Sequence, residues 1–261
     1  MDLELKDKTA FVTGPAKGMG RAISLGLAQE GANLVLAGRD LAPIEDVAKE
    51  ARALGVNTVV TQCDVTDPDD VEASVTKGIE AFGAIDILVN VAGGTGPLGK
   101  SGIETTPEEF DQIVELNLKG CFLTMRAVLP GMIEQGGGRI VNVGGTFGMR
   151  GRAGRLSYSS SKWGLRGLTK SFALEVGPHN INVNCVAPGM VDGPRFQSVC
   201  ATMAEQLGIS HDEARAKHAE DYALRRVSTD EDVANAVLFF ASERSRQITG
   251  QDLAVDGGWV I

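Results

Sequence analysis

The sequence predicts one α/β domain built on a parallel sheet, and three observations support this prediction. Short apolar segments alternate with longer amphipathic ones along most of the 261 residues, which is the pattern of successive βα units. A glycine-rich turn follows the first apolar segment and opens the first amphipathic one. No linker rich in Pro, Ser or charge interrupts the chain, so a single domain over residues 1–261 is expected.

Seven apolar segments are predicted to be strands. They are residues 9–13, 33–37, 58–62, 87–90, 139–143, 182–187 and 252–255. The amphipathic segments predict helices at residues 20–30, 43–54, 68–82, 107–130, 157–176 and 230–242. Pro43, Pro68 and Pro107 lie near three of the predicted helix starts, where the missing N–H group of proline costs little.

Residues 190–227 break this alternation. They contain no strand pattern, and their apolar residues lie among charged ones, which predicts one or two short amphipathic helices. An insertion of this length between the sixth and seventh strands is interpreted as a lid over a binding site. An ordinary helical hairpin at the surface is the alternative.

Charge and composition argue against several classes of protein. The formal net charge of −9 disfavours nucleic acid and anionic membranes as partners, because both attract basic surfaces. The chain starts without an apolar signal segment and has no apolar run long enough to cross a bilayer, so a cytoplasmic protein is expected. The four cysteines are far apart in the sequence, which indicates buried free thiols and no metal site.

The glycine-rich turn at residues 13–20 predicts a dinucleotide-binding site. Glycine permits a tight turn, and the N-terminus of the following helix offers free N–H groups and the positive end of its dipole to a diphosphate. The strand, turn and helix follow one another as the dinucleotide fingerprint requires. The residues expected to contact the cofactor here are Gly14, Lys17, Gly18, Met19 and Gly20.

Lys17 and Arg39 favour NADP over NAD as the cofactor. The second strand ends at Gly38 and Arg39, where an NAD enzyme usually places an acid for the ribose 2′-hydroxyl, and the first acid is Asp40. Two cations without a carboxylate favour a 2′-phosphate. The alternatives are a solvated Lys17 and an Arg39 that stacks on adenine in an NAD enzyme.

The ends of the third and fourth strands are expected to contribute further cofactor contacts. Asp64, followed by Val65, lies where a carboxylate accepts a hydrogen bond from the adenine amino group. Asn90, Ala92 and Gly93 end the fourth strand, and small residues there let a ribose or nicotinamide approach the backbone. Each of these residues also fits a simple turn or cap.

Tyr158 and Lys162 lie four residues apart in a predicted helix, so both side chains leave the same helix face. Together with the preceding motifs, this pair makes the order of motifs resemble the short-chain dehydrogenase/reductase family in its compact single-domain form. The matching motifs run over nearly the whole chain: the glycine-rich turn, Asp64, residues 90–93, Asn117, Tyr158 with Lys162, Pro188 with Gly189, and residues 248–258.

The resemblance implies a Rossmann fold, a doubly wound sheet of seven parallel strands with helices on both faces. It also implies reversible hydride transfer between NADP or NAD and a carbonyl or alcohol carbon, with Tyr158 as the acid/base. Lys162 would favour the phenolate of Tyr158 and bind the nicotinamide ribose, and Asn117 would hold a water molecule of the proton relay. Pro188, Gly189 and the backbone of Val191 would contact the nicotinamide. A homo-oligomer, tetramer or dimer, is a further implication.

Gly145 departs from the family pattern, which usually has a serine thirteen residues before the tyrosine. The nearest hydroxyl belongs to Thr146, and one step along a regular strand reverses the side-chain direction. Glycines at positions 144 and 145 make this backbone pliable. Three interpretations stay open: Thr146 replaces the serine, the substrate supplies its own orienting group, or turnover is weak or lost and the protein is a cofactor-binding sensor or scaffold.

The substrate pocket is expected between residues 94–102, 146–156 and 190–222. Four apolar side chains are expected to line it: Met149, Phe196, Val199 and Met203. Four cations border it: Arg150, Arg152, Arg155 and Arg195. These cations favour an anionic substrate, and a solvated loop or a subunit contact is the alternative.

Overall fold

Seven parallel strands form the framework of the protein, whose computed structural model describes residues 2–261. The strands are β1 (Thr9–Thr13), β2 (Asn33–Gly38), β3 (Thr58–Gln62), β4 (Ile87–Asn90), β5 (Gly138–Val143), β6 (Ile181–Pro188) and β7 (Asp252–Val255). They lie in the order β3-β2-β1-β4-β5-β6-β7. The chain therefore builds one half of the sheet outward from β1, returns, and builds the other half outward from β4. The reversal leaves a crevice at the carboxyl ends of β1 and β4, where such sheets bind ligands.

Helices cover both faces of the sheet. They are α1 (Gly18–Gln29), α2 (Leu41–Ala53), α3 (Pro68–Phe82), α4 (Pro107–Val114), α5 (Gly120–Glu134), α6 (Leu156–Val176), α7 (Pro194–Leu207), α8 (His211–Ala219) and α9 (Asp230–Ala241). Helices α1, α2 and α9 pack on one face, and α3, α5 and α6 pack on the other. The predicted fold class is confirmed. Within residues 2–261, no helix is long and apolar enough to span a membrane.

The central strand β1 shows why the strand segments are almost continuously apolar. All five of its residues are buried. Ala10 and Val12 belong to the core under α1, α2 and α9, whereas Phe11 belongs to the core under α3, α5 and α6. Because alternate side chains enter two different cores, neither face of the strand can be polar.

The segment predicted as one helix over residues 107–130 differs from the prediction in two ways. A π-helical turn, Glu115–Lys119, separates α4 from α5, and α5 continues through Pro130 to Glu134. A proline inside a helix costs roughly 3 kcal/mol. Leu129 and Met132 are buried in the core on either side of it, and each such burial contributes roughly 1.5–3 kcal/mol, which offsets that cost.

Residues 190–227 form two helices, α7 and α8, as predicted. Ser210 begins α8 with a capping box, in which its hydroxyl accepts a hydrogen bond from Glu213 N (3.2 Å) and the Glu213 carboxylate accepts one from Ser210 N (2.8 Å). The two helices enclose a small core of their own that contains Phe196. Phe196 has no exposed surface, so the expectation that it lines the substrate pocket was wrong. Its ring packs in the small core between α7 and α8.

All four cysteines, Cys63, Cys121, Cys185 and Cys200, are free and buried, as the sequence suggested. Desolvation by burial raises the pKa of Cys121 to about 11 and that of Cys185 to about 12. Both thiols therefore remain protonated and unreactive near neutral pH.

Candidate active site

The glycine-rich turn and the end of β4 meet at the carboxyl edge of the sheet. Thr13, the last residue of β1, accepts hydrogen bonds at Oγ1 from Val91 N and Ala92 N, both at 3.1 Å. A Cβ atom on Gly14, whose φ is +66°, would lie 2.9 Å from Ala92 Cα. Two segments predicted separately from the sequence are thus in direct contact.

In the turn that leads into α1, Gly14 and Gly20 form a cradle that has no room for a side chain at either position. A Cβ atom on Gly20 would lie 2.1 Å from Gly14 O. Helix α1 begins at Gly18 without a side-chain cap and without an acid in its first turn, so its first N–H groups and its positive dipole end are available to an anion. Met19 is half-buried beside the turn. These features fit the diphosphate of a dinucleotide.

Lys17 and Arg39 lie exposed at this end of the site. Within residues 2–261 neither forms an ion pair. Both cations are therefore available to a ligand phosphate, which is the arrangement that the sequence predicted for NADP.

Asp64 is held as an ionised acceptor next to β3. Its Oδ1 accepts hydrogen bonds from Thr66 N (3.0 Å) and Thr66 Oγ1 (2.8 Å). These bonds, helped by the charge of Arg39, hold the pKa of Asp64 below its ordinary value. Val65, the next residue, is buried against Gly120 at the start of α5. A cofactor contact of Val65 would therefore use its backbone.

The side chain of Asn90 belongs to a buried polar chain. Its Nδ2 donates to Asn142 Oδ1 (2.9 Å), and its Oδ1 accepts from the Thr124 hydroxyl (2.7 Å). Asn142 in turn donates to Thr169 Oγ1 (3.0 Å). These hydrogen bonds join α5, β4, β5 and α6. Because they occupy the Asn90 side chain, the cofactor contact expected of Asn90 would have to come from its backbone.

Asn117 lies in the π-helical turn and is fully buried. Its Oδ1 accepts from Gly94 N (2.7 Å), and its Nδ2 donates to Gly94 O (3.0 Å) and to Ser161 Oγ (3.1 Å). A Cβ atom on Gly93 would lie 2.9 Å from Asn117 Oδ1. Asn117 therefore fixes the loop after β4 against α6, the helix that carries Tyr158. Its role in a proton relay stays a prediction.

Tyr158 and Lys162 lie on α6 and face the end of β5. Lys162 is 6% exposed, and its Nζ donates to Val143 O at 2.9 Å. The same Nζ lies 5.8 Å from the centre of the Tyr158 ring. The Tyr158 side chain is half-buried, and its hydroxyl forms no hydrogen bond to the described part of the chain. That hydroxyl is free to bind a substrate oxygen.

Because Gly145 has no side chain, the Tyr158 hydroxyl can occupy the space next to it. A Cβ atom at position 145 would lie 2.7 Å from Tyr158 Oη. Gly145 has φ 167° and ψ 149°, an extended conformation open to any residue, so the close contact of a side chain here would be with Tyr158 and not with the backbone. A serine at position 145 would require the Tyr158 oxygen to shift from this position.

Thr146 begins a short 3₁₀ turn, Thr146–Gly148, directly after Gly145. The residue is 5% exposed. Its hydroxyl forms no hydrogen bond to another side chain or backbone group in residues 2–261. Its use as the orienting hydroxyl stays a prediction.

Pro188, Gly189 and Val191 lie where β6 meets the start of the α7 and α8 segment. Gly189 N donates to Val255 O (3.0 Å), and a Cβ atom on Gly189 would lie 2.8 Å from Asp256 Cβ. Val191 pairs with Ser228 in an isolated parallel bridge. These contacts fix the backbone that is expected to contact the nicotinamide.

The four arginines that the sequence grouped together separate in the structure. Arg150, Arg152 and Arg195 are exposed, whereas Arg155 is 6% exposed. The Arg155 guanidinium lies over the Tyr158 ring, 4.7 Å from its centre. Sequence reasoning missed this difference, although Arg155 precedes Tyr158 by only three residues, at the position directly before α6 begins.

Known proteins match this arrangement over the whole domain. A family model described as Enoyl-(Acyl carrier protein) reductase matches residues 14–260. A short-chain dehydrogenase/reductase of Armillaria gallica is 38% identical over 259 residues, covering 97% of this chain and 96% of that protein. The chain belongs to the short-chain dehydrogenase/reductase family. It is an NAD(P)-dependent oxidoreductase of carbonyl and alcohol groups.

Two further relatives agree with this assignment. The 3-oxoacyl-(acyl-carrier-protein) reductase FabG of Thermotoga maritima is 36% identical over 259 residues, covering 99% of this chain and 100% of that protein. The crystal structure of levodione reductase has a TM-score of 0.89 at 31% identity, with 98% of both chains covered.

Replacement of Gly145 by serine is expected to lower kcat rather than raise it. The new Cβ atom would displace the Tyr158 oxygen, and a misplacement of about 1 Å costs on the order of a hundredfold in rate. The measurement is kcat with saturating cofactor. The control is Gly131→Ser, since a Cβ atom at Gly131 meets no atom within 4 Å. An increase of kcat in Gly145→Ser would contradict the steric account.

Proposed function

We propose that the protein reduces a small carbonyl substrate, or oxidises the corresponding secondary alcohol, with a preference for NADP(H) over NAD(H). The observation that carries this proposal is the unpartnered Tyr158 hydroxyl, which lies beside a Lys162 that is anchored on Val143 O and lies next to Gly93 in the loop after β4. FabG and levodione reductase are named as reductases, which favours reduction as the direction. The substrate class of FabG, a thioester of a carrier protein, is one candidate.

Tyr158 is assigned as the acid/base at the substrate oxygen. The nicotinamide, when bound, supplies the hydride for the carbonyl carbon. In reduction the Tyr158 hydroxyl donates its proton to the substrate oxygen, and the charge of Lys162 stabilises the phenolate that remains. Lys162 is almost fully buried, so water screens its charge weakly and the stabilisation is stronger than at a surface.

The orienting group for the substrate oxygen has two candidates. One is the Thr146 hydroxyl, which follows Gly145 and has no partner among the described residues. The other is a group on the substrate itself, which the cations around the site would hold if that group is anionic. A sensor or scaffold without turnover finds no support in the geometry, because Tyr158, Lys162 and Asn117 are all present and ordered around one site.

A homo-oligomer, tetramer or dimer, is also proposed. Five large apolar side chains on α5 and α6 are exposed: Phe122 (39%), Ile133 (39%), Leu156 (47%), Trp163 (49%) and Leu174 (83%). Apolar surface of this kind often marks an interface between subunits. The proposal requires a solution mass well above the 27.4 kDa of one chain.

Replacement of Tyr158 by phenylalanine is expected to lower kcat by about 10²- to 10⁴-fold, because it removes the proton donor. The dissociation constant of NADPH should change little, since the ring stays in place. Single-turnover kinetics and fluorescence titration measure the two quantities. Tyr222→Phe is the matched control, because it removes the only other phenol oxygen in the chain. A sensor would tolerate Tyr158→Phe without consequence.

Replacement of Lys17 and Arg39 by alanine, singly, is expected to raise KM for NADPH roughly 10- to 100-fold each, the value of a charge-assisted hydrogen bond. KM for NADH should change little. The control is Arg126→Ala, since Arg126 is an exposed arginine on α5. Equal effects on both cofactors, or a preference of the unmodified enzyme for NADH, would show that the two cations do not bind a 2′-phosphate.

A further inference from the structure

Arg155 is a buried cation without a counter-ion, next to the reacting tyrosine. Its Nε, Nη1 and Nη2 atoms are all closed to solvent and have no hydrogen-bond partner among residues 2–261. Buried arginines in folded proteins are almost always paired, because an uncompensated charge in the interior is costly. Something that the protein binds is therefore expected to complete this group.

The surroundings of Arg155 do not replace that partner. The guanidinium lies over two aromatic rings, 4.7 Å from the centre of Tyr158 and 5.8 Å from that of Phe147. Ring faces attract the positive charge, but they leave the N–H groups of the guanidinium without hydrogen-bond acceptors. Desolvation and the nearby charge of Arg195 also lower the pKa of Arg155 below its ordinary value. The protein environment thus disfavours the charge that an anion would favour.

Arg155 occupies the position from which a substrate could be oriented without a serine. It is the residue that precedes the first turn of α6, and its guanidinium covers the ring whose oxygen fills the space above Gly145. An anion held by Arg155 would lie near the Tyr158 ring, whose centre is 4.7 Å from the guanidinium carbon. A planar guanidinium fork matches the two oxygens of a carboxylate, and this bidentate geometry fixes orientation as well as position.

We propose that Arg155 binds a carboxylate of the substrate, and that this ion pair orients the substrate in place of the missing serine. The substrate is then a small oxo acid or hydroxy acid. This inference rests on the proposed oxidoreductase function. In reduction the carbonyl carbon accepts a hydride and its oxygen accepts the Tyr158 proton, while the carboxylate stays unchanged.

A carboxylate needs a path to this buried group. The turn that carries Arg155 is joined to residues 94–102 by a hydrogen bond from Gly99 N to Gly154 O (3.2 Å). A Cβ atom on Gly154 would lie 3.0 Å from Gly99 Cα, so the two backbones are in close contact. Entry of a substrate from this side would require these two loops to separate.

The test compares 2-oxo and 3-oxo acids with their methyl esters. Acids of about four to six carbons are used, because they are small enough for a ligand pocket. The quantity measured is kcat/KM with NADPH for the unmodified enzyme, Arg155→Gln and Arg126→Gln. The unmodified enzyme should prefer an acid to its ester. Arg155→Gln should lose about a hundredfold on the acid, as expected for a broken buried ion pair, and little on the ester. Arg126→Gln removes the same charge from an exposed position on α5, away from the site, and should keep the preference.

Two outcomes overturn the inference. One is a substrate preference of the unmodified enzyme for esters or neutral ketones over acids. The other is an equal loss on acid and ester in Arg155→Gln, which would indicate a structural role. Reduction of neutral ketones alone would leave the proposed function intact, whereas failure to reduce any carbonyl compound would count against the proposed function itself.

Binding provides a second readout that does not need turnover. Isothermal titration of the same acids into the enzyme saturated with NADP⁺ should show an affinity that drops about a hundredfold in Arg155→Gln. Arg155→Gln should also unfold at the same temperature as the unmodified protein or higher, because it removes an unpaired buried charge. Absence of acid binding to the unmodified enzyme would refute the carboxylate site.

Discussion

The contact between the Tyr158 oxygen and the bare backbone at Gly145 is the constraint on which the rest of the site depends. The end of β5 contacts both groups that are proposed to act in catalysis, because Lys162 is anchored on Val143 O and Tyr158 Oη fills the space next to Gly145. A side chain at position 145 would require the end of Tyr158 to shift. Because Gly145 offers no hydroxyl, substrate orientation is expected from another group, and the unpaired guanidinium of Arg155, 4.7 Å from the centre of the tyrosine ring, is the nearest cation to that ring.

At the end of the site that is expected to bind the cofactor, the constraint is the close approach of two backbone segments, the turn before α1 and the turn after β4. The cradle formed by Gly14 and Gly20 admits no Cβ atoms, and Thr13 binds the turn after β4 directly to it. The buried series of hydrogen bonds from Thr124 through Asn90 and Asn142 to Thr169 then connects this backbone contact to β5 and α6. Tyr158 and Lys162, the proposed catalytic pair, are thus held in a fixed position relative to the turn that is expected to bind the diphosphate.

Much of the fold could be predicted because it depends on local patterns. Strands β1 and β4 have the predicted bounds, since buried parallel strands are short apolar runs followed by turns. The π-helical turn around Asn117 could not be predicted, because a single i→i+5 turn has no sequence pattern of its own. The burial of Phe196 and Arg155 was also missed. Both depend on packing between separate segments, in which Phe196 joins α7 to α8 and the guanidinium of Arg155 lies over the rings of Phe147 and Tyr158. The sequence identified Gly145 as unusual, but only the structure shows that Tyr158 fills its space.

The most direct test of this account is a crystal structure of the protein with NADP⁺ and the best hydroxy acid or alcohol substrate. The account predicts a substrate oxygen within hydrogen-bond distance of Tyr158 Oη, with Oη still next to Gly145 and the substrate carboxylate on Arg155. A substrate oxygen bound to Thr146 Oγ1, with Tyr158 turned away from Gly145 and Arg155 still unpaired, would contradict it.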